Sequence, residues 1–158
     1  MPLLRLALLA TLELATAAAQ LTTQCHFVGF EDSSESRPTA YTAKCSRSPG
    51  GPMEICSQLS LEHCLSNHDG EMRPRTEGNS TPNFKETCRS CHVDVDGRRL
   101  YCQCKRLDMS LNYASVELES IIVPQGGLLT CSDTVGEEIS ECPVTRLGRP
   151  TDRRRLAP

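Results

Sequence analysis

The sequence predicts an all-β domain, mostly strand with short helical turns, stapled by disulfides and built as two pseudo-symmetric repeats. Three observations predict it: ten cysteines that all follow an apolar leader, an Asp-Gly hairpin signal nested between four of them, and a motif order that occurs twice. With no tryptophan, three phenylalanines and three tyrosines, a large aromatic core is excluded, so cross-links have to supplement burial. The formal net charge is −3, and the carboxyl-terminal stretch from Arg146 holds five arginines against one aspartate. The body before it is therefore more acidic than the whole chain, which argues against a nucleic-acid partner, because phosphate contacts need a basic surface.

Arg5 precedes the apolar run Leu6 to Leu12, and Ala17-Ala18-Ala19 supplies the small residues of a signal-peptidase site before Gln20. Residues 1–19 are thus expected to be a signal peptide, with a run too short for a permanent membrane span. An even number of cysteines in an exported chain favours disulfides, and the expected location is secreted and extracellular.

Asp96-Gly97 lies between short runs containing Val93, Val95, Leu100 and Tyr101. This predicts a two-residue type I′ hairpin turn, whose central positions both need positive φ. Residue numbers paired across an antiparallel hairpin have a constant sum. A turn that pairs Val95 with Arg98 therefore also pairs Cys91 with Cys102, while Cys88 and Cys104 fall one residue out of register, an offset that a β-bulge absorbs. The competing reading is zinc, since Cys88-x2-Cys91 and Cys102-x-Cys104 also carry ligand spacing. The leader decides against it.

The repeat runs in order as Cys25, Cys45-Ser-Arg, Leu59-Ser-Leu61-Glu62 and Asp69-Gly70, then Cys88, Cys104-Lys-Arg, Val116-Glu-Leu118-Glu119 and Gly126-Gly127. The interval between matching positions shrinks along the chain, which places extra residues in the first copy's loops, chiefly Glu31 to Pro38. Each copy is expected to be a cysteine-bridged hairpin, a third strand or short helical turn, and a closing turn. The expected boundaries are 20–142 for the domain, with repeat one at about 20–74, a linker at 75–82 and repeat two at about 83–131. The linker permits a monomer or a domain-swapped dimer. Residues 143–158 read as a disordered basic tail.

Taken together and in this order, Asn83-Phe84-Lys85-Glu86-Thr87-Cys88-Arg89, the cysteines Cys25/Cys45 and Cys88/Cys104, and the turn Asn67-His68-Asp69-Gly70 resemble the cyanovirin-N homology family, of the secreted fungal type. The resemblance covers both repeats, roughly Gln20 to Thr130. It implies a pseudo-symmetric, mostly β lectin with a sugar pocket at each end, mannose-type glycans as ligands, and no catalytic activity or cofactor. It also implies disulfides joining Cys25 to Cys45 and Cys88 to Cys104; Cys91 with Cys102 is an addition of this chain.

Onto the pocket at the repeat junction, the matching positions are Asn67, Asp69, Asn83, Glu86, Thr87 and Lys105. Such carboxylates, amides and hydroxyls are the acceptors and donors that sugar hydroxyls need. Arg106 and Leu107 fall where smaller polar and basic residues are usual in the family. The opposite closing turn is Pro124-Gln125-Gly126-Gly127, which lacks the amide and carboxylate, leaving Thr23, Gln24, Ser46 and Ser48 as polar neighbours. One main pocket is expected, because a site without its carboxylate loses charge-assisted bonds.

Each of these residues also has a plainer explanation. Asn67, Asp69 and Asp96 are ordinary turn formers, and Glu86 and Lys105 suit a solvated surface. His26, His63, His68 and His92 lack zinc-helix spacing, so no metal site is expected, and no Ser, His and acid arrangement is present. Asn79-Ser80-Thr81 is a glycosylation sequon at Asn79. By spacing alone, Cys131 with Cys142 closes a carboxyl-terminal loop and leaves Cys56 with Cys64; a crossed pairing of these four is equally compatible. Two functions remain: a secreted lectin for mannose-type glycans, or a cysteine-rich interaction or effector protein on the same scaffold with sugar binding lost.

Overall fold

The computed structural model describes residues 20–32, 38–76 and 83–143. The expected signal peptide, Asn79 and the tail beyond Pro143 lie outside them. Among the described residues no helix is long and apolar enough to cross a membrane.

After a short α1 (Gln20–Gln24), β1 (Cys25–Glu31), β2 (Ala40–Ser46) and β3 (Glu54–Ser60) form an antiparallel sheet. A first 3₁₀ turn (Leu61–His63) leads into the hairpin β4 (Leu65–His68) and β5 (Glu71–Pro74). The second copy repeats this order. A 3₁₀ turn (Phe84–Glu86) precedes β6 (Cys88–Val93), β7 (Arg99–Lys105) and β8 (Leu111–Glu117), and a third 3₁₀ turn (Leu118–Ser120) leads into β9 (Val123–Gln125) and β10 (Leu128–Cys131). The element left open in sequence is both things at once in each copy: a third strand that runs into a helical turn.

The two hairpins are exchanged. β5 lies beside β8 of the second repeat, and β10 lies beside β3 of the first. The Glu side chains of the 3₁₀ turns that follow β3 and β8 link the two copies. Glu62 accepts from the Thr39 amide (3.1 Å) and from Asn83 Nδ2 (3.2 Å) ahead of the second repeat. Glu119 accepts from the Leu21 and Thr22 amides of α1, at 2.8 and 3.1 Å. Glu119 thus occupies first-turn amides of α1 that no helix of such length can satisfy itself, and Glu62 ties the Asn83 side chain to the first copy. Asp32 adds a further link, receiving a 2.5 Å bond from Lys85 Nζ and a 3.0 Å bond from the Cys91 amide.

Strand alternation builds the core. In β7, Leu100, Cys102 and Cys104 point inward while Tyr101 and Lys105 are exposed, as the two-residue period of a strand requires. Tyr41, Phe84, Leu59, Leu61, Leu65, Leu100, Leu118, Ile122 and Leu129 are buried around half-cystines. Each large apolar side chain contributes about 1.5–3 kcal/mol by leaving water. All ten cysteines are paired, so Cys88, Cys91, Cys102 and Cys104 offer no thiolates to zinc.

Register explains the nested pair. His92 pairs with Tyr101 and Val93 with Leu100, but Cys88 pairs with Cys104 and Arg89 with Gln103, one residue off. The extra residue is absorbed at Ser90 and Cys91, where Ser90 takes φ 52°. Cys88–Cys104, Cys91–Cys102 and Cys25–Cys45 are disulfides, as expected.

The turn itself corrects the sequence reading. Only Gly97 has positive φ (75°), so Asp96-Gly97 is not a type I′ pair. Asp94 organises a wider turn: its carbonyl accepts from the Gly97 amide (3.1 Å) and its carboxylate from the amides of Arg98 (2.7 Å) and Arg99 (3.2 Å). A Cβ at position 97 would sit 2.3 Å from the Phe27 ring, so glycine is required there for space as well as for φ.

The last four cysteines are crossed: Cys56–Cys142 and Cys64–Cys131. Of the two pairings that spacing leaves open, the crossed one forms, and the carboxyl-terminal loop through Cys131 with Cys142, with Cys56 to Cys64, does not. After β11 (Thr134–Val135), β12 (Glu137–Glu138) pairs with β3 and the Ile139 amide bonds the Cys56 carbonyl at 2.9 Å, which delivers Cys142 to Cys56. Hairpin exchange brings Cys131, at the end of β10, to Cys64.

Candidate functional site

Asp69 and Gly70, at φ 50° and 86°, form the two-residue turn that closes β4 and β5 and suits the type I′ signal. A Cβ on Gly70 would lie 2.7 Å from the Arg106 side chain and 2.9 Å from Asn112 Cβ, so the tip of this hairpin is pressed onto β8 and the β7–β8 turn. The site is this tip, the start of the second repeat, and the residues that follow β7.

Asn67 clips the parts together. Its Nδ2 donates to Thr87 Oγ1 and to the Lys105 carbonyl, both at 2.8 Å, and its Oδ1 accepts from the Gly70 amide at 2.8 Å. Asp69 Oδ1 accepts from the Leu107 amide at 2.8 Å. Asn112, which the sequence reading missed, donates to the Gly70 carbonyl (2.9 Å) and accepts from Arg106 (3.0 Å). Its register with Cys104, matching that of Ile55 with Cys45, is the signal that finds it.

Four of the six candidate residues are brought together in this way, in unequal roles. Asn67 spends its amide internally. Lys105 is joined to the site through its backbone carbonyl. Thr87 accepts from Asn67 and keeps its own hydroxyl hydrogen. Asp69 fixes one carboxylate oxygen on Leu107 and has no partner for the other among the described residues.

The remaining two differ. Asn83 caps the 3₁₀ turn at Phe84, accepting from the Lys85 amide at 2.8 Å, and turns its Nδ2 to Glu62; it is committed to structure. Glu86 is exposed at the end of that turn, and its carboxylate has no partner among the described residues. Beyond Leu107, Asp108 accepts from the amide and hydroxyl of Ser110, at 2.9 and 2.6 Å. Those bonds, the hydroxyl first, hold its carboxyl below the usual range.

The opposite tip has the same backbone and different chemistry. Gly126 and Gly127 take φ 59° and 88°, but the tip rests on Ile55, the counterpart of Asn112. Pro124 stands at the position of Asn67 and has no side-chain amide. Arg47, the counterpart of Arg106, is held by Glu138 at 3.2 Å. The segment carrying β12 thus brings a carboxylate onto this tip's basic neighbour. Among the described residues no group of three or more His, Cys, Asp or Glu is placed to hold a metal.

The family model for the CVNH domain matches residues 22–147. Among solved structures, the Gibberella zeae CVNH protein is 19% identical, with a TM-score of 0.55 over 72% of this chain and 97% of its own. The CVNH-LysM module from the rice blast fungus Magnaporthe oryzae is 15% identical, with a TM-score of 0.52 over 70% of this chain and 95% of its own. A variant of MoCVNH3 in complex with (N-GlcNAc)4 is 16% identical, with a TM-score of 0.51 over 67% and 93%. At these identities the likeness is one of fold. No curated protein matches the sequence.

Proposed function

Because the chain belongs to the CVNH domain family, whose members are carbohydrate-binding lectins and not enzymes, we propose that it recognises mannose-type glycans through one main pocket at the Asp69-Gly70 tip. The observation that carries this reading is Asp69, whose carboxylate is fixed by the Leu107 amide and retains an uncommitted oxygen. A preorganised acceptor of this kind grips a sugar hydroxyl with a charge-assisted bond at little entropic cost. The Thr87 hydroxyl and the Arg106 guanidinium supply further donors and acceptors beside the tip, and we add the exposed Glu86 carboxylate, next to Thr87 in sequence, as an acceptor. Asn67 and Asn112 act indirectly, by setting the tip against β7 and β8.

At the far tip, Pro124, Gly126 and Gly127 contribute no polar side chain, and Glu138 competes for Arg47. This supports a single working pocket. Five disulfides are compatible with an extracellular protein, and we assign the chain to the secreted class, as a monomer or a swapped dimer. The glycan in the MoCVNH3 complex, a GlcNAc tetramer, makes that sugar the first competitor to set beside mannosides.

A rival reading keeps the scaffold and discards the sugar, and the consumed Asn67 amide favours it. A glycan array probed with oxidised protein separates the two. Binding of mannose-terminated glycans, lost in Asp69→Ala and kept in Gln125→Ala, supports the lectin. No signal on any glycan supports the scaffold.

A further inference from the structure

The outward face of β6, β7 and β8 carries a groove of about 540 Å³ that the Asp69 site does not use. Ser90, His92, Tyr101, Gln103, Tyr113 and Ser115 line it over a floor of Cys102 and Ala114. Strand alternation puts these rings in water: the neighbours of Tyr101 in β7, Leu100 and Cys102, take the core side. Register then places them in rows, His92 opposite Tyr101 and Gln103 opposite Tyr113.

The groove is built. The His92 and Tyr101 rings are stacked, 5.2 Å between centroids and 12° from parallel, so each ring braces the other. Tyr113 is 82% exposed, yet its hydroxyl is fixed by Gln103 Nε2 at 2.9 Å. That bond uses the phenol oxygen as acceptor, so its hydrogen remains to donate, and Gln103 Oε1 remains to accept. No carboxylate and no lysine lines the groove; its basic groups are the His92 imidazole and, at the edge, the Arg99 guanidinium, which donates to Ser115 Oγ at 3.2 Å.

Flat rings with donors and acceptors at their edges suit a ligand that is apolar on its faces and hydroxylated around its rim. A pyranose with all substituents equatorial has that shape: its C–H bonds line both faces. The axial hydroxyl of mannose interrupts one of them. We propose that this face is a second ligand site, a stacking platform for β-linked gluco-configured oligosaccharides, distinct from the Asp69 pocket and independent of its reading.

The test is an amide-resolved NMR titration of the disulfide-bonded protein with cellotetraose and, separately, chitotetraose. Shifts at residues 90–92, 101–103 and 113–115 are expected, persisting in Asp69→Ala and about tenfold weaker in affinity in Tyr113→Ala. Tyr113 is exposed, so its truncation leaves the fold intact, as unchanged amide positions elsewhere will verify. Response to both sugars supports recognition of the ring faces alone; response to chitotetraose only supports an added contact to the acetamide. Absence of shifts there with either sugar at millimolar concentration overturns the proposal, as do shifts that Tyr113→Ala leaves undiminished. Concentration-dependent sedimentation that Tyr113→Ala abolishes would assign the face to a second copy of the chain and overturn it too.

Discussion

The Tyr41 hydroxyl donates a 2.9 Å hydrogen bond to the Gly97 carbonyl, joining β2 of the first repeat to the β6–β7 turn of the second. Tyr41 is 2% exposed and its ring packs on Phe27, 5.1 Å between centroids, beneath the glycine that admits no side chain. The two copies are therefore fastened at a buried polar point as well as by exchanged hairpins.

Tyr41→Phe should destabilise the protein by about 1–2 kcal/mol, because it leaves the buried Gly97 carbonyl without its donor. Burial, followed by the Glu119 and Asp94 carboxylates, pushes the Tyr41 phenol well above its ordinary value. A raised folded pKa means that the unfolded chain ionises first. Stability is thus fully present below about pH 10 and falls as pH rises beyond it. Denaturant melts at a series of alkaline pH values should show a shallower fall in the variant.

Glu119→Gln and Glu119→Ala separate charge from contact. Glu119 serves two amides of α1, and hydrogen bonds to a charged group are worth about 1.5–3 kcal/mol. Alanine should cost that much, with faster hydrogen exchange at Leu21 and Thr22; glutamine should recover part of it. Equal losses in both variants, with exchange unchanged, would contradict the assignment.

Replacing Cys91 and Cys102 together by Ala should leave the fold intact and cost about 2–3 kcal/mol, since Cys88–Cys104 still closes the hairpin. Cys56–Cys142 spans 86 residues of sequence, and its loss should cost more, about 4 kcal/mol, because a longer loop is released. Non-reducing peptide mapping that joined Cys131 to Cys142 would contradict the crossed pairing.

Asn67→Ala should act on stability first. The amide makes three internal bonds, so its removal should loosen the tip, read as faster exchange at Gly70 and Lys105. Sugar affinity should fall less than in Asp69→Ala, where the ligand itself loses a bond.

Much of this was legible in the chain because the relevant signals are local. The bulged register of Cys88 with Cys104 follows from counting residues across one hairpin, and the repeat follows from motif order. What was hidden depends on tertiary contacts. Asp96-Gly97 has the composition of a type I′ turn, but the carboxylate of Asp94, two residues earlier, captures the following amides and widens it. The pairing of Cys56 and Cys64 depends on hairpin exchange and on β12 adding to β3, neither of which leaves a mark in spacing. Asn83 reads as a ligand-facing amide, yet Glu62 in the other copy claims it. Asn112 escaped notice because its role arises from a glycine pressed against it across 42 residues of sequence.

The central claim is that one hairpin tip binds sugar. Its most direct measurement is an amide-resolved NMR titration of the oxidised protein with a small mannose oligosaccharide. Saturable shifts are expected at Asn67 to Gly70, Glu86, Thr87 and Lys105 to Leu107, abolished by Asp69→Ala and unaffected by Gln125→Ala. Shifts centred on Thr23, Ser46 and Gln125, or none at millimolar sugar, would contradict it.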